Sequence, residues 1–178
     1  MKGDRAMSHQ DAKMREYDRM TRDGLRPMTT CEIVEEAIDT IKIGRRKAIC
    51  GKSTLESFFD GGCADQSLSR EGLLDLQNGL EMLLKGLIEY YGESYKEEHY
   101  TDVNGQILED LARQYPDLYN LHEAFGILQD DDFSFTMYKC SKYPRYQSHK
   151  SSRNFRSLAY KLMDLLIRYV DTYVLIEL

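Results

Sequence analysis

Arginine, lysine, histidine and tyrosine crowd into the stretch KYPRYQSHKSSRNFRSLAYK, which begins at Lys142. These are side chains suited to holding or cutting a phosphodiester. Arginine's planar fork binds phosphate in two-point fashion, and lysine binds it as a compact charge. Tyrosine rings give bases a face to stack on. Histidine, with an ordinary pKa of about 6.5, can take the proton from a ribose 2'-hydroxyl. On that chemistry Arg145, Lys150, Arg153 and Arg156 are the expected anion contacts, and Tyr143, Tyr146 and Tyr160 the expected walls of a pocket. His149, paired with Arg153 or Arg145, is the candidate catalytic group.

The charge pattern around these residues sharpens the expectation. The 178-residue chain has a formal net charge of -6, yet Phe133 to Met163 holds seven of its 24 basic residues and none of its 30 acidic ones. Lys139, Lys142 and Lys161 complete the seven, and Tyr138 and Phe155 add aromatic rings. Basic residues interleaved with aromatics are the footprint of a nucleic-acid or nucleotide site. The acidity of the remainder argues against indiscriminate binding to nucleic acid. Two other readings stay open: a protein contact, since tyrosine and arginine are enriched at interfaces, and a solvated loop whose charge is incidental.

Other motifs carry less. GKST at 51–54 resembles the end of a phosphate loop, but the glycine required five positions before Gly51 is Arg46, and no hydrophobic strand precedes it. Cys31, Cys50, Cys63 and Cys140 form no Cys-x-x-Cys pair and are expected as reduced thiols, most of them packing residues. His99 beside Asp102 either enters a helix or lines a polar pocket, and His122 is expected as a partly buried structural side chain. No metal site and no cofactor are expected from the scattered carboxylates. No apolar run reaches the ~18 residues needed to span a bilayer, and the start of the chain lacks the apolar core of a secretory signal, so the expectation is a cytoplasmic protein with no membrane contact.

The elements that must position the basic segment read as helices. Residues 1–28 are expected as a disordered or loosely helical leader, and 29–178 as a single domain. Thr29 and Glu32 have capping-box spacing, and Ile33, Val34, Ala37, Ile38 and Ile41 supply an apolar face for a helix ending near Gly44. Residues 44–67, rich in glycine, are expected as a loop enclosing one or two helical turns. Leu73, Leu76, Leu80, Leu83, Leu84, Leu87, Ile88 and Tyr91 mark a central buried helix stopped by Gly92. A third helix carries Ile107, Leu108, Leu111 and Ala112, and YPD at 115–117 breaks it before a fourth. A basic connection then leads into a long last helix from Phe155 to Tyr173, capped by Ser151 or Ser152. No stretch alternates as a strand would, so the expected fold is all-α, an antiparallel bundle of four to five helices.

Three stretches carry a resemblance to a known family. NGLEMLLKGLIEYYG at 78–92, EEHYTDVNGQILEDL at 97–111 and YPRYQSHKSSRNFRSLAY at 143–160 resemble, in order and layout, the HEPN family of nucleotide-binding helical domains. The resemblance implies a nucleotide or RNA as ligand, a homodimer, and a setting in toxin–antitoxin or defence systems, often beside a small nucleotidyltransferase partner. Ribonucleases of that family carry an arginine, four to six residues and a histidine, in some members followed one residue later by a tyrosine. Arg153 and Tyr160 fall at the matching places, but the histidine position is Leu158, and Arg145 and His149 are one residue too close. The expectation is therefore binding without catalysis. The alternatives are an active metal-independent ribonuclease using His149, and a helical protein–protein interaction module with no nucleic-acid ligand.

Overall fold

The computed structural model describes residues 30–61, 66–97, 101–142 and 153–176, with backbone alone for 66–68, 140–142 and 153. All regular structure in these residues is helical: α1 (Thr30–Asp60), α2 (Gln66–Tyr90), α3 (Thr101–Leu111), a 3-10 helix (Pro116–Leu121), α4 (His122–Leu128), α5 (Asp131–Lys142) and α6 (Arg153–Tyr173). The all-α bundle expected from the sequence is what the chain forms. The leader before Thr29 lies outside the described residues.

The first helix departs most from expectation. It does not end near Gly44, and residues 44–60 are not a loop; α1 runs unbroken to Asp60. The physical reason is a seam. Ala37, Ile41, Gly44, Ala48, Gly51 and Leu55 are all buried and recur at alternating steps of four and three, the spacing of a coiled-coil face. Opposite them, α2 presents Gly72, Gly79 and Gly86 at seven-residue intervals, and the two helices run antiparallel with backbones in contact. A Cβ built on Gly51 would lie 2.2 Å from the Leu76 nitrogen, and one on Gly79 would lie 2.3 Å from the Ala48 nitrogen. Each glycine inside a helix costs about 1 kcal/mol relative to alanine. Close packing along the whole seam offsets that cost, because helices in proteins draw most of their stability from such faces. Gly51 of GKST sits in the middle of this seam, so no phosphate loop exists there.

Helix α2 is the central element, as its leucine pattern predicts. Leu73, Leu76, Leu80, Leu83, Leu84, Leu87 and Ile88 are each at most 2% exposed. It stops at Gly92, whose φ of 86° is open to glycine at little strain. The Gly92 amide donates to the Glu89 carbonyl at 2.9 Å and the Glu93 amide to the Ile88 carbonyl at 3.0 Å, the two bonds of a Schellman stop. The segment that follows is pinned by Asn104. Its amide accepts from the Lys96 nitrogen at 2.7 Å and donates to the Lys96 carbonyl at 3.0 Å, as a neighbouring strand would. Lys85 lies over the Tyr95 ring and 3.9 Å from Glu97.

Pro116 opens the 3-10 helix where YPD was expected to break the chain. His122 is exposed rather than partly buried, its Nδ1 lying 3.1 Å from the Tyr119 carbonyl. Thr101 bonds the Leu128 carbonyl and Asp102 accepts from the Ser134 hydroxyl, so both tie α3 to neighbouring elements. His99 lies outside the described residues.

The basic connection expected before the last helix starts instead as helix α5, directly after Asp130. Asp130 accepts from the Phe133 amide at 2.8 Å and so caps α5. Phe133 and Met137 of that helix enter the core, and Phe133 stacks on Phe155 with centroids 5.3 Å apart. The basic stretch thus begins as a helix anchored by its apolar residues. Helix α6 buries Phe155, Ala159, Leu162, Met163, Leu166 and Val170 and runs antiparallel to α1. Ser151 and Ser152 lie outside the described residues, and Cys31 and Cys50 are exposed free thiols rather than packing residues.

Candidate functional site at the α1–α6 face

One line of α1, spaced seven residues apart, faces α6: Arg45, Lys52 and Phe59. Arg45 binds Asp171 through two bonds, Nε to Oδ1 at 2.8 Å and Nη2 to Oδ2 at 2.9 Å. Lys52 lies 3.8 Å from Asp164 and 4.0 Å from Glu56, longer separations than a tight ion pair. Phe59 meets Arg156, whose guanidinium carbon lies 3.6 Å above the ring centroid. Together these contacts zip the C-terminal half of α1 along α6 from Arg156 to Asp171.

Arg156 and Tyr160 are one helical turn apart on α6, so they point from the same side of it. Lys52 Nζ stands 5.3 Å from the Tyr160 ring centroid. Two polar atoms in this small region, Arg156 Nε and the Tyr160 hydroxyl, are buried with no hydrogen-bond partner among the described residues. Buried polar atoms in native proteins almost always find partners, so this pair is an exception to the rest of the fold. Burial pushes the Tyr160 pKa up; nearby Arg156 opposes the shift, and Glu56 and Asp60 add to it. Arg156 thus stands close enough to the phenol to act on it through both its charge and a hydrogen bond, though the alignment falls short of a regular hydrogen bond at Arg156 Nε or the Tyr160 oxygen, and the hydroxyl stays protonated through the physiological range.

Of the sequence-expected residues, Arg156 and Tyr160 come together here and Arg153 opens α6 just before them. Tyr143, Arg145, Tyr146, His149 and Lys150 lie outside the described residues. Leu158 is part-buried against the core. Two residues from both Arg156 and Tyr160, it stands roughly 200° around the helix from each, so a histidine at that position would face away from them. Lys52 and Phe59 were not anticipated. Lys52 is visible in the sequence only inside a failed phosphate-loop motif, and Phe59 only within the glycine-rich 44–67 segment; reading 44–60 as helix is what aligns them with Arg45.

At the far end of α6 a second cluster gathers tyrosines. The Tyr91 and Tyr169 hydroxyls are hydrogen-bonded to each other, Tyr115 packs against Tyr91, and Tyr173 against Tyr169. Tyr119 and Ile176 of this end are 56% and 61% exposed. Among the described residues no group of three or more His, Cys, Asp or Glu side chains is placed to hold a metal ion, and no helix is long and apolar enough to cross a membrane. Comparison of the chain with family models, with curated proteins and with solved structures returns no match.

Proposed function

We propose that this chain is a HEPN-like helical bundle that binds a nucleotide or RNA, without cutting it, where α1 meets the start of α6. The observation that carries the reading is the gathering of Lys52, Arg156 and Tyr160 where α1 meets α6, with Lys52 Nζ 5.3 Å from the Tyr160 ring and only loosely paired with Asp164 and Glu56. The acid-free run from Phe133 to Met163 holds seven basic residues in sequence, Arg156 among them. The pattern resemblance extends the proposal to a cytoplasmic homodimer working beside a small nucleotidyltransferase in a toxin–antitoxin or defence setting. Anisotropy of a labelled single-stranded RNA, with wild type and Arg156→Gln at two salt concentrations, tests the binding. Salt-sensitive binding that weakens at least tenfold in the variant, with RNA intact on a denaturing gel, is expected. Equal affinity in the two proteins refutes the site, and cut RNA revives the ribonuclease that uses His149.

A second reading, a protein-binding module, draws on the exposed aromatic end around Tyr119 and Ile176. It expects Tyr119→Ala to disturb assembly measured by light scattering while leaving RNA binding alone.

A further inference from the structure

The end of the bundle away from Arg156 keeps an apolar face in the open. Tyr115, Tyr119, Tyr173 and Ile176 are four of the nine large apolar side chains that are exposed among the described residues. They gather on one frame of contacts. Tyr115 packs on Tyr91 with centroids 4.7 Å apart, the Tyr91 and Tyr169 hydroxyls bond each other, and Tyr169 packs on Tyr173 at 4.9 Å. Asn120, beside Tyr119, donates to the Tyr173 hydroxyl at 3.0 Å. Apolar side chains exposed singly are ordinary, whereas a gathered patch marks a surface that takes a partner.

The chain itself arrives at this patch. A Cβ built on Gly86 would lie 3.2 Å from the Ala37 carbonyl oxygen, so Ala37 and Gly86 are level where α1 and α2 run antiparallel. Thr30 comes seven residues earlier, about 10 Å along the axis, which sets it level with Gly92 and Glu93, just past Tyr91. The 28-residue segment before Thr29 is therefore tethered beside the aromatic end. A segment tethered in this way meets a neighbouring patch at an effective concentration on the order of mM, which a free partner must match.

The sequence of that segment suits the face. Five of the chain's eight methionines, Met1, Met7, Met14, Met20 and Met28, belong to it. Methionine is flexible, and its sulfur makes favourable contacts with aromatic rings. At about 100° per residue, Met7, Met14, Tyr17 and Leu25 would share an arc of about 80°, and no charged residue from Lys2 to Asp23 would fall within it. Pro27 disfavours helical backbone at Arg26, so such a stripe would turn away from the axis of α1 instead of prolonging it.

We infer that the aromatic end is the docking face of the chain's own N-terminal segment, with the methionine stripe seated against Tyr115, Tyr119, Tyr173 and Ile176. This goes beyond the nucleotide-binding reading and does not depend on it.

The test uses the full chain carrying 13C-methyl methionine, with Met7→Leu and Met14→Leu identifying two methyl signals. Those signals are expected upfield of free methionine, with nuclear Overhauser contacts to tyrosine rings. Trypsin cleavage after Arg15 and Arg19 supplies a second readout, since cleavage of a docked segment follows the fraction that is undocked. Tyr119→Ser combined with Ile176→Ser, checked for helicity by circular dichroism, is expected to raise the initial cleavage rate by about tenfold or more and to return both methyl signals to the free position. Met14→Asp, which changes the segment and leaves the bundle untouched, is expected to raise the rate as well. Free methyl positions in wild type, or one cleavage rate in all three proteins, overturn the inference. Protection that fades on dilution, with a doubled mass by light scattering, overturns it too and assigns the face to a second copy.

Discussion

Gly79→Ala puts the α1–α2 seam to a direct test. The added methyl would sit 2.3 Å from the Ala48 nitrogen, 2.7 Å from the Ala48 Cα and 2.7 Å from the Gly44 carbonyl oxygen. All three obstacles are backbone, so no side chain can turn aside. Ordinary carbon contacts lie at about 3.5–4.0 Å, so the helices must part locally by roughly 1 Å or more. Overpacking of this kind costs about 1–3 kcal/mol, and contact with rigid backbone places it at the upper end. Replacing glycine in a helix returns about 1 kcal/mol. The net expectation is a loss of about 2 kcal/mol, which lowers Tm by about 4–8 °C in a domain of this size. Gly126→Ala is the control: nothing lies within 4 Å of its added methyl, so helix propensity alone acts and Tm rises by up to about 4 °C. Thermal melts followed by circular dichroism at 222 nm read both. A Gly79→Ala protein as stable as wild type would refute a seam of backbones in contact.

Asn104→Ala removes the amide that bonds both backbone groups of Lys96 from a site 2% exposed; a loss of about 2–3 kcal/mol in urea unfolding is expected, and a loss under about 0.5 kcal/mol would show that the segment holds without it. A double-mutant cycle on Arg45 and Asp171, both about 40% exposed, should give a coupling of no more than about 1 kcal/mol despite the two-point geometry. Burial holds Tyr91, Tyr160 and Tyr169 above the ordinary phenol range and pushes Tyr95 up to about 12. Unfolded tyrosine ionises near pH 10, so the stability tied to these neutral phenols is complete below about pH 10 and is lost as pH rises through about 12. Absorbance titration at 295 nm should show some of the 13 tyrosines ionising only in that window, together with unfolding; all thirteen titrating near 10 in the folded protein would contradict it.

The fold class was legible because leucines at three- and four-residue steps in α2 and α6 leave no other way to bury them, and the stop at Gly92 follows from glycine's tolerance of a positive φ. The first helix was misread at Gly44 because glycine signals two opposite things. At a chain end it supplies the left-handed turn; against a facing helix it supplies room. The distinction lies in the partner sequence, where Gly72, Gly79 and Gly86 answer the small residues of α1. Helix α5 was hidden for a related reason: its charges suggested a solvated connection, while the anchors Phe133 and Met137 make sense only once Phe155 is placed opposite them. Arg156 and Tyr160 could be picked from charge and residue type. Lys52 and Phe59 could not, since their approach to α6 depends on α1 continuing for sixteen residues beyond Gly44.

The α1–α2 seam is also nearly self-similar under translation. Sliding one helix by seven residues, about 10 Å along its axis, would bring Gly86 over the Gly44–Ala48 pair and Gly79 over the Gly51–Leu55 pair, small again facing small or a single leucine. Nothing in the seam itself forbids that slip. The alignment is chosen by α6, which reads α1 through Arg45 and Lys52 while its own apolar face sits in the core built on α2. A helix far along the chain therefore acts as the gauge for the first two, and the face where it takes that measurement is the one that carries Arg156 and Tyr160.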